Sequence, residues 1–157
     1  MAGRIDYYRD PDAPPANSIV VAVTAFVLDE SGRLLMIRRT DNDLYAIPGG
    51  AQEIGETISR TVVREVREET GILVEVTGFI GVYSDPEHVV AFADGEVRQE
   101  FSLCFRARPV RGELRTSSES KEVLWVERAR LDDLNIHPSI KLRIQHGLEY
   151  RAEPFYA

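Results

Sequence analysis

Cysteine is almost absent from this chain. Cys104 stands alone among 157 residues, which excludes an internal disulfide, and its place within a strand reads as structural rather than nucleophilic. Histidine is scarce too: His88, His137 and His146 have no spacing that suggests a metal cluster and read as structural or surface groups. Positive charge is outweighed, with 19 Lys and Arg against 26 Asp and Glu and a formal net charge of −7. That balance argues against broad nucleic-acid binding and against anionic membranes, both of which want a basic face. No apolar run approaches the length of a membrane span, and the first residues lack the basic-then-apolar pattern of a secretion signal. A cytoplasmic protein with no membrane partner is expected. Repeats and low-complexity tracts are missing as well.

What is present suits one domain with a real core, since 43% of the residues are hydrophobic. Residues 1–17 are polar and contain Pro11, Pro14 and Pro15, so they read as an N-terminal arm; 18–150 form the domain and 151–157 a tail. Ile19 to Leu28 is apolar on both alternating faces, as in a strand buried on both sides. Asp29-Glu30-Ser31-Gly32 makes a turn, and Arg33 to Arg38 returns as a second strand. Ile72 to Tyr83 is rich in β-branched residues and reads as a strand. Phe101, Leu103 and Phe105 alternate with Ser102, Cys104 and Arg106, which predicts a strand with one apolar face. Val123 to Val126 gives a short strand, and Ile140, Ile144 and Leu148 stripe a closing helix. Strands with one central and one terminal helix suggest a mixed β-sheet sandwiched by helices.

Between these elements lies a dense run of charge. Glu65, Glu68 and Glu69 stand at i, i+3 and i+4, which on a helix advancing about 100° per residue places them on one face. Val62, Val63 and Val66 fall on an adjacent face and Arg60 and Arg67 on a third. A solvated surface helix is the competing reading, because Arg64 with Glu68 is also an ordinary i,i+4 pair. The residues before the helix tip the balance. Pro48-Gly49-Gly50 and Gly55-Glu56 bracket a loop with glycines where backbone approaches something closely or turns. Thr57 is placed to cap the helix and Gly71 to end it. A glycine-rich loop feeding a capped helix with a carboxylate face suits a hard divalent cation and substrate phosphates.

The run Gly50, Glu56, Arg64-Glu65-Val66, Glu68-Glu69, Gly71-Ile72 resembles the Nudix box at every defined position and spacing. Leu34 to Arg39 and Tyr45-Ala46-Ile47-Pro48-Gly49-Gly50 resemble the strand and approach that precede it, with Tyr45 where many members carry Trp. The resemblance implies an α/β/α sandwich and hydrolysis of a nucleoside diphosphate linked to another moiety. Water would attack phosphorus in the pyrophosphate bridge, assisted by Mg²⁺ or Mn²⁺. It implies Glu65, Glu68 and Glu69 as ligands, Glu56 as a supporting ligand, the Gly50 carbonyl as a backbone ligand, and Arg64 as the group that orients a carboxylate.

Beyond the box, alternatives stay open. The general base is either a box glutamate or an acid of the loop holding Glu113, Glu119 and Glu122; Glu119, just ahead of a strand, is the leading choice against the reading of all three as ordinary loop acids. Arg38 and Arg39 close the second strand near the Gly-Gly loop and are candidates for phosphate contact, or simple edge charges. Tyr83 is a candidate for base stacking, or a core aromatic. Pro86 falls near where ADP-ribose-hydrolysing members tend to carry proline, though a loop proline is often only a turn residue. A small nucleotide is the expected partner: an ADP-ribose-like compound first, a nucleoside triphosphate second. A non-catalytic nucleotide sensor, a protein with a merely solvated acidic helix, and an RNA-decapping enzyme complete the alternatives. Dimers are common in the family, so a homodimer stays open, although no stretch marks an interface.

Overall fold

Thr57 and Gly71 bound the first helix as their types require. In a computed structural model, which describes residues 3–157, helix α1 spans Ile58–Thr70. The Thr57 hydroxyl accepts from Arg60 N at 3.3 Å, and Gly71 takes the left-handed conformation at φ 82° while its N–H bonds Arg67 O. Val62 and Val66 are fully buried and pack against Val23, Ala25, Val27 and Leu35. Burying each contributes roughly 1.5–3 kcal/mol, so the valine stripe holds the helix and leaves its carboxylate stripe free for other work.

The strands are β1 (Arg4–Tyr8), β2 (Ser18–Ile19), β3 (Ala22–Val27), β4 (Leu34–Arg39), β5 (Tyr45–Ala46), β6 (Gly49–Ala51), β7 (Ile72–Tyr83), β8 (His88–Phe92), β9 (Val97–Gln99), β10 (Ser102–Gly112), β11 (Ser120–Val126) and β12 (Phe155–Tyr156). A five-stranded mixed sheet runs β12-β7-β10-β3-β6, with β3 parallel and β7 antiparallel to β10. A second sheet, β11-β4-β5, is antiparallel throughout. Helix α2 (Pro138–Glu149) presents Ile144 to a cluster with Phe26, Met36, Ile80 and Cys104, with Ile140 and Leu148 packed at its margin. Strand β3 divides the two clusters: Val23, Ala25 and Val27 face α1, and Phe26 faces the α2 side. The helices cover opposite sides, which is the expected α/β/α sandwich.

Three sequence expectations change. The strand expected over Ile19–Leu28 is split, because Ser18–Ile19 leaves to pair with β9 in an outer sheet, β1-β8-β9-β2, and Ile19 is exposed. The strand from Phe101 does not have one apolar face. Ser102 and Cys104 are buried while Leu103 and Phe105 are only half-buried, since β10 is central and both its faces are covered. The segments expected as arm and tail both contribute strands: Arg4–Tyr8 pairs antiparallel with β8, and Phe155–Tyr156 pairs parallel with β7.

Candidate active site

Strand β6 is paired to β3, with Gly50 opposite Val23 and Gly49 opposite Thr24, so the Gly-Gly segment is fixed beside α1. Both glycines are dictated by contact. A Cβ on Gly49 would strike the Val23 carbonyl, and one on Gly50 would strike the Glu65 carboxylate. The Gly50 backbone therefore lies directly against Glu65.

Arg64 organises this corner. Its Nε donates to Glu56 Oε2 at 2.6 Å and its Nη2 to Glu56 Oε1 at 2.9 Å, with a further bond from Nη2 to Ala51 O at 3.0 Å. Nη1 donates to Glu65 Oε1 at 2.9 Å and to Glu68 Oε2 at 3.3 Å. Glu56 also accepts from Glu53 N at 2.9 Å and Thr61 Oγ1 at 3.2 Å. The Arg64 bonds, aided by Glu53 N, hold the Glu56 carboxyl well below the ordinary range, at about 2. Glu56 is thus spent on closing the loop over the helix.

Glu65 and Glu69 are buried, and their carboxylate oxygens lie with one from exposed Glu119 within 4.8 Å of one another. Burial, then the charge of Glu65, pushes the Glu69 carboxyl well above its usual value, against the pull of Arg39 and of Gly49 N, which donates to it at 3.3 Å. Burial also raises Glu65, against the opposing hydrogen bond and charge of Arg64. Arg64, Arg39 and Gly49 N offset only part of the cost of like charges crowded out of water, and a hard divalent cation would supply the rest. The donor set, all oxygen with the Gly50 backbone alongside, fits Mg²⁺ or Mn²⁺.

The structure brings together Gly50, Glu65, Glu69 and Glu119, with Arg64 behind them. Glu68 is outside that cluster and faces solvent beside Arg60, Val63 and Arg67 in an open groove of about 520 Å³ along α1. Glu56 is outside it too. Of the three acids expected on one loop, Glu122 lies within β11 opposite Arg38, and it accepts from Arg38 at 3.1 Å and from the Tyr45 hydroxyl at 2.7 Å. Arg38 is further paired with Asp43 at 2.8 Å, and Arg39 makes two bonds to Asp41 at 2.9 and 2.6 Å. Tyr83 is not free to stack on a base. It is 4% exposed, its hydroxyl bonds His146 Nδ1 at 2.8 Å, and its ring stacks on Phe155, so it belongs to the core. Pro86 is exposed in the β7–β8 turn, across a cleft of about 500 Å³ from Pro11 to Ala16.

Sequence reasoning missed two groupings. One is the Ser117–Ser120 turn that carries Glu119; two serines flanking an acid ahead of a strand are a signal for such turns. The other joins Asp6, His88 and His137, whose side chains approach within 4.8 Å. His88 and His137 stack at 4.7 Å and 13°, so their in-plane lone pairs point along parallel planes and do not converge on one cation.

A family model described as NUDIX domain matches residues 19–145. The chain is similar to a MutT-like protein of Streptomyces ambofaciens, 42% identical over 118 residues that cover 75% of this chain and 69% of that protein. It is similar to an ADP-ribose pyrophosphatase of Methanocaldococcus jannaschii, 34% identical over 128 residues, covering 76% and 64%. The chain thus spans about two thirds of the length of these curated relatives. In fold it resembles a NUDIX hydrolase from Nitrosomonas europaea, with TM-score 0.70 at 18% identity, covering 88% of this chain and 94% of that one.

Proposed function

The chain belongs to the Nudix family and is a pyrophosphohydrolase, and from that premise we propose that it cleaves an ADP-ribose-like nucleoside diphosphate linked to a second moiety, using Mg²⁺. The observation that carries this reading is the meeting of Glu65, Glu69 and Glu119 beside Gly50. Three carboxylates at that spacing, two of them buried, would hold a divalent cation, and Mn²⁺ would suit the same oxygens. When bound, the cation neutralises the phosphate oxygens and acidifies the attacking water.

The chain's own groups do the rest. Arg64 fixes Glu65 and ties the loop to α1 through Glu56. Exposed Glu119 accepts the proton of water as its oxygen bonds to phosphorus. The bridging P–O bond breaks, and the departing phosphate leaves with the electron pair. Arg39, whose charge reaches Glu69, is the nearer of the two strand-end arginines to this centre; Arg38 is committed to Asp43 and Glu122. The name of the Methanocaldococcus relative supports the ADP-ribose reading. The MutT-like name of the Streptomyces relative favours a second one, a nucleoside triphosphate.

The test is Mg²⁺-dependent hydrolysis of ADP-ribose, diadenosine polyphosphates, nucleotide sugars, CDP-alcohols, and normal and oxidised dNTPs, read by mass spectrometry. Selective conversion of ADP-ribose to AMP and ribose phosphate, lost in Glu69→Gln, is the expected result. Preferential dNTP cleavage would transfer the assignment to the second reading. No cleavage by folded protein that still binds nucleotide would make it a sensor.

A further inference from the structure

The loop between β10 and β11 closes the C-terminus of α1, where the last carbonyls of a helix have no partner within it. Arg115 N donates to Thr70 O at 2.9 Å, and the Ser120 hydroxyl donates to Glu69 O at 2.6 Å. Arg67 O receives Gly71 N at 2.9 Å and Arg115 Nη2 at 3.3 Å. The segment from Arg115 to Ser120 is thus the cap of the helix that carries Glu65 and Glu69.

Ser120 is 0% exposed, where an alcohol without a partner would cost about 1–3 kcal/mol. Its hydroxyl has partners on both sides, because the Ser117 and Ser120 oxygens lie 2.7 Å apart. With the Ser120 proton on Glu69 O, the Ser117 proton points to Ser120. Ser117 Oγ is then free to accept from Glu119 N and Ser120 N, each at 3.2 Å. Backbone bonds close the turn in both directions, Ser117 N to Ser120 O at 3.0 Å and Ser120 N to Ser117 O at 3.3 Å. From the turn just after β4, Thr40 N donates to Glu119 O at 3.1 Å, and Thr40 Oγ1 to Ser118 O at 3.0 Å. Both backbone polar groups of Glu119 are therefore held. Its carboxylate alone projects, and it projects to Glu65 and Glu69.

We propose that Ser120 is a positioning residue for hydrolysis: by pinning the Ser117–Ser120 turn to the orphan carbonyl of Glu69, it sets the Glu119 carboxylate in register with those of Glu65 and Glu69. The proposal rests on the reading of Glu119 as the proton acceptor for water. A hydroxyl that only stabilised the fold would lower the melting temperature and leave the turnover of folded protein unchanged.

The experiment is a double-mutant cycle of Ser120→Ala and Glu119→Gln, on the substrate cleaved fastest, with Mg²⁺ saturating. Ser120→Ala is expected to lower kcat about ten- to hundredfold with KM little changed, since small misplacement of a reacting group has that effect. The double variant is expected to be no slower than Glu119→Gln alone, because both changes remove the same contribution. Ser120→Cys, which keeps a weak donor of similar size, should recover part of kcat. Losses that multiply in the double variant, or full kcat in Ser120→Ala, would overturn the positioning role while leaving the Glu119 assignment intact. Full activity in Glu119→Gln would overturn both. Should Ser120→Ala not fold, Ser117→Ala, half-buried at the same turn, enters the cycle with the same outcomes.

Discussion

Arg64 and Glu56 meet through two parallel hydrogen bonds, Nε to Oε2 at 2.6 Å and Nη2 to Oε1 at 2.9 Å. The fork that makes this pair also reaches Ala51 O and Glu65, so one guanidinium fixes loop, helix and carboxylate together. A lysine ammonium is a point charge and cannot serve all these acceptors at once. Arg64→Lys should therefore lower kcat/KM about tenfold or more, because Glu65 loses its fixed orientation. Steady-state kinetics beside a thermal melt checks this; unchanged kinetics would show that Arg64 is only a surface ion pair.

Gly49 and Gly50 are adjacent, yet their alanine variants should fail differently. The Cβ of Gly49→Ala meets the Val23 backbone, which is locked in the β3 ladder. Stability should fall by about 2 kcal/mol or more, read by denaturant unfolding. The three atoms nearest the Cβ of Gly50→Ala all belong to the Glu65 carboxylate, the end of a side chain. That variant should stay folded and lose activity.

Glu69 is buried beside Glu65, and in the absence of a cation their repulsion opposes folding. Glu69→Gln should melt no lower than wild type when both are metal-free. With Mg²⁺ at a hundred times its Kd, wild type should gain roughly 5–10 °C and the variant little of it. A metal-free variant that melts far below wild type would mean that Glu69 is structural.

His88 ties the first strand to the rest of the domain. Burial alone would lower its imidazole, but Asp6, 3.2 Å from Nε2, and Glu100, 3.4 Å from Nδ1, lift it from 6.5 to about 9. Burial would raise Asp6 as well, yet the bonds from His88 and Arg4 hold it well below the ordinary carboxylate range. A raised histidine stabilises fully below its unfolded value and loses that contribution as pH climbs through its folded one. The melting temperature should drop between about pH 6.5 and about pH 9, and His88→Gln should flatten that slope.

Local chemistry made much of the fold legible. The valine stripe, Thr57 and Gly71 fixed α1, and the β-branched run fixed β7, because caps and periodicity act over a few residues. The outer sheet was not legible. Its strands β1 and β2 are short, and they pair with the β8–β9 hairpin only after a long excursion of the chain. The Asp94-Gly95 turn in that hairpin was the available signal, with Gly95 at φ 94°. Tyr83 illustrates the opposite failure: an aromatic at a strand end has the same local pattern whether it meets substrate or, as here, His146 and Phe155.

The sequence by itself determined the family, the capped helix and the carboxylate stripe, since spacing along one helix decides which side chains share a face. Only the tertiary structure decided how that stripe is divided. Glu65 and Glu69 turn inward to Gly49, Gly50 and the Glu119 turn, while Glu68 remains in solvent and Glu56 is bound by Arg64. The reason is physical: helical periodicity gives a direction, but burial and the approach of Glu119 depend on how β4, β6 and β11 pack around α1. Those contacts join residues far apart in the chain, and no local spacing encodes them.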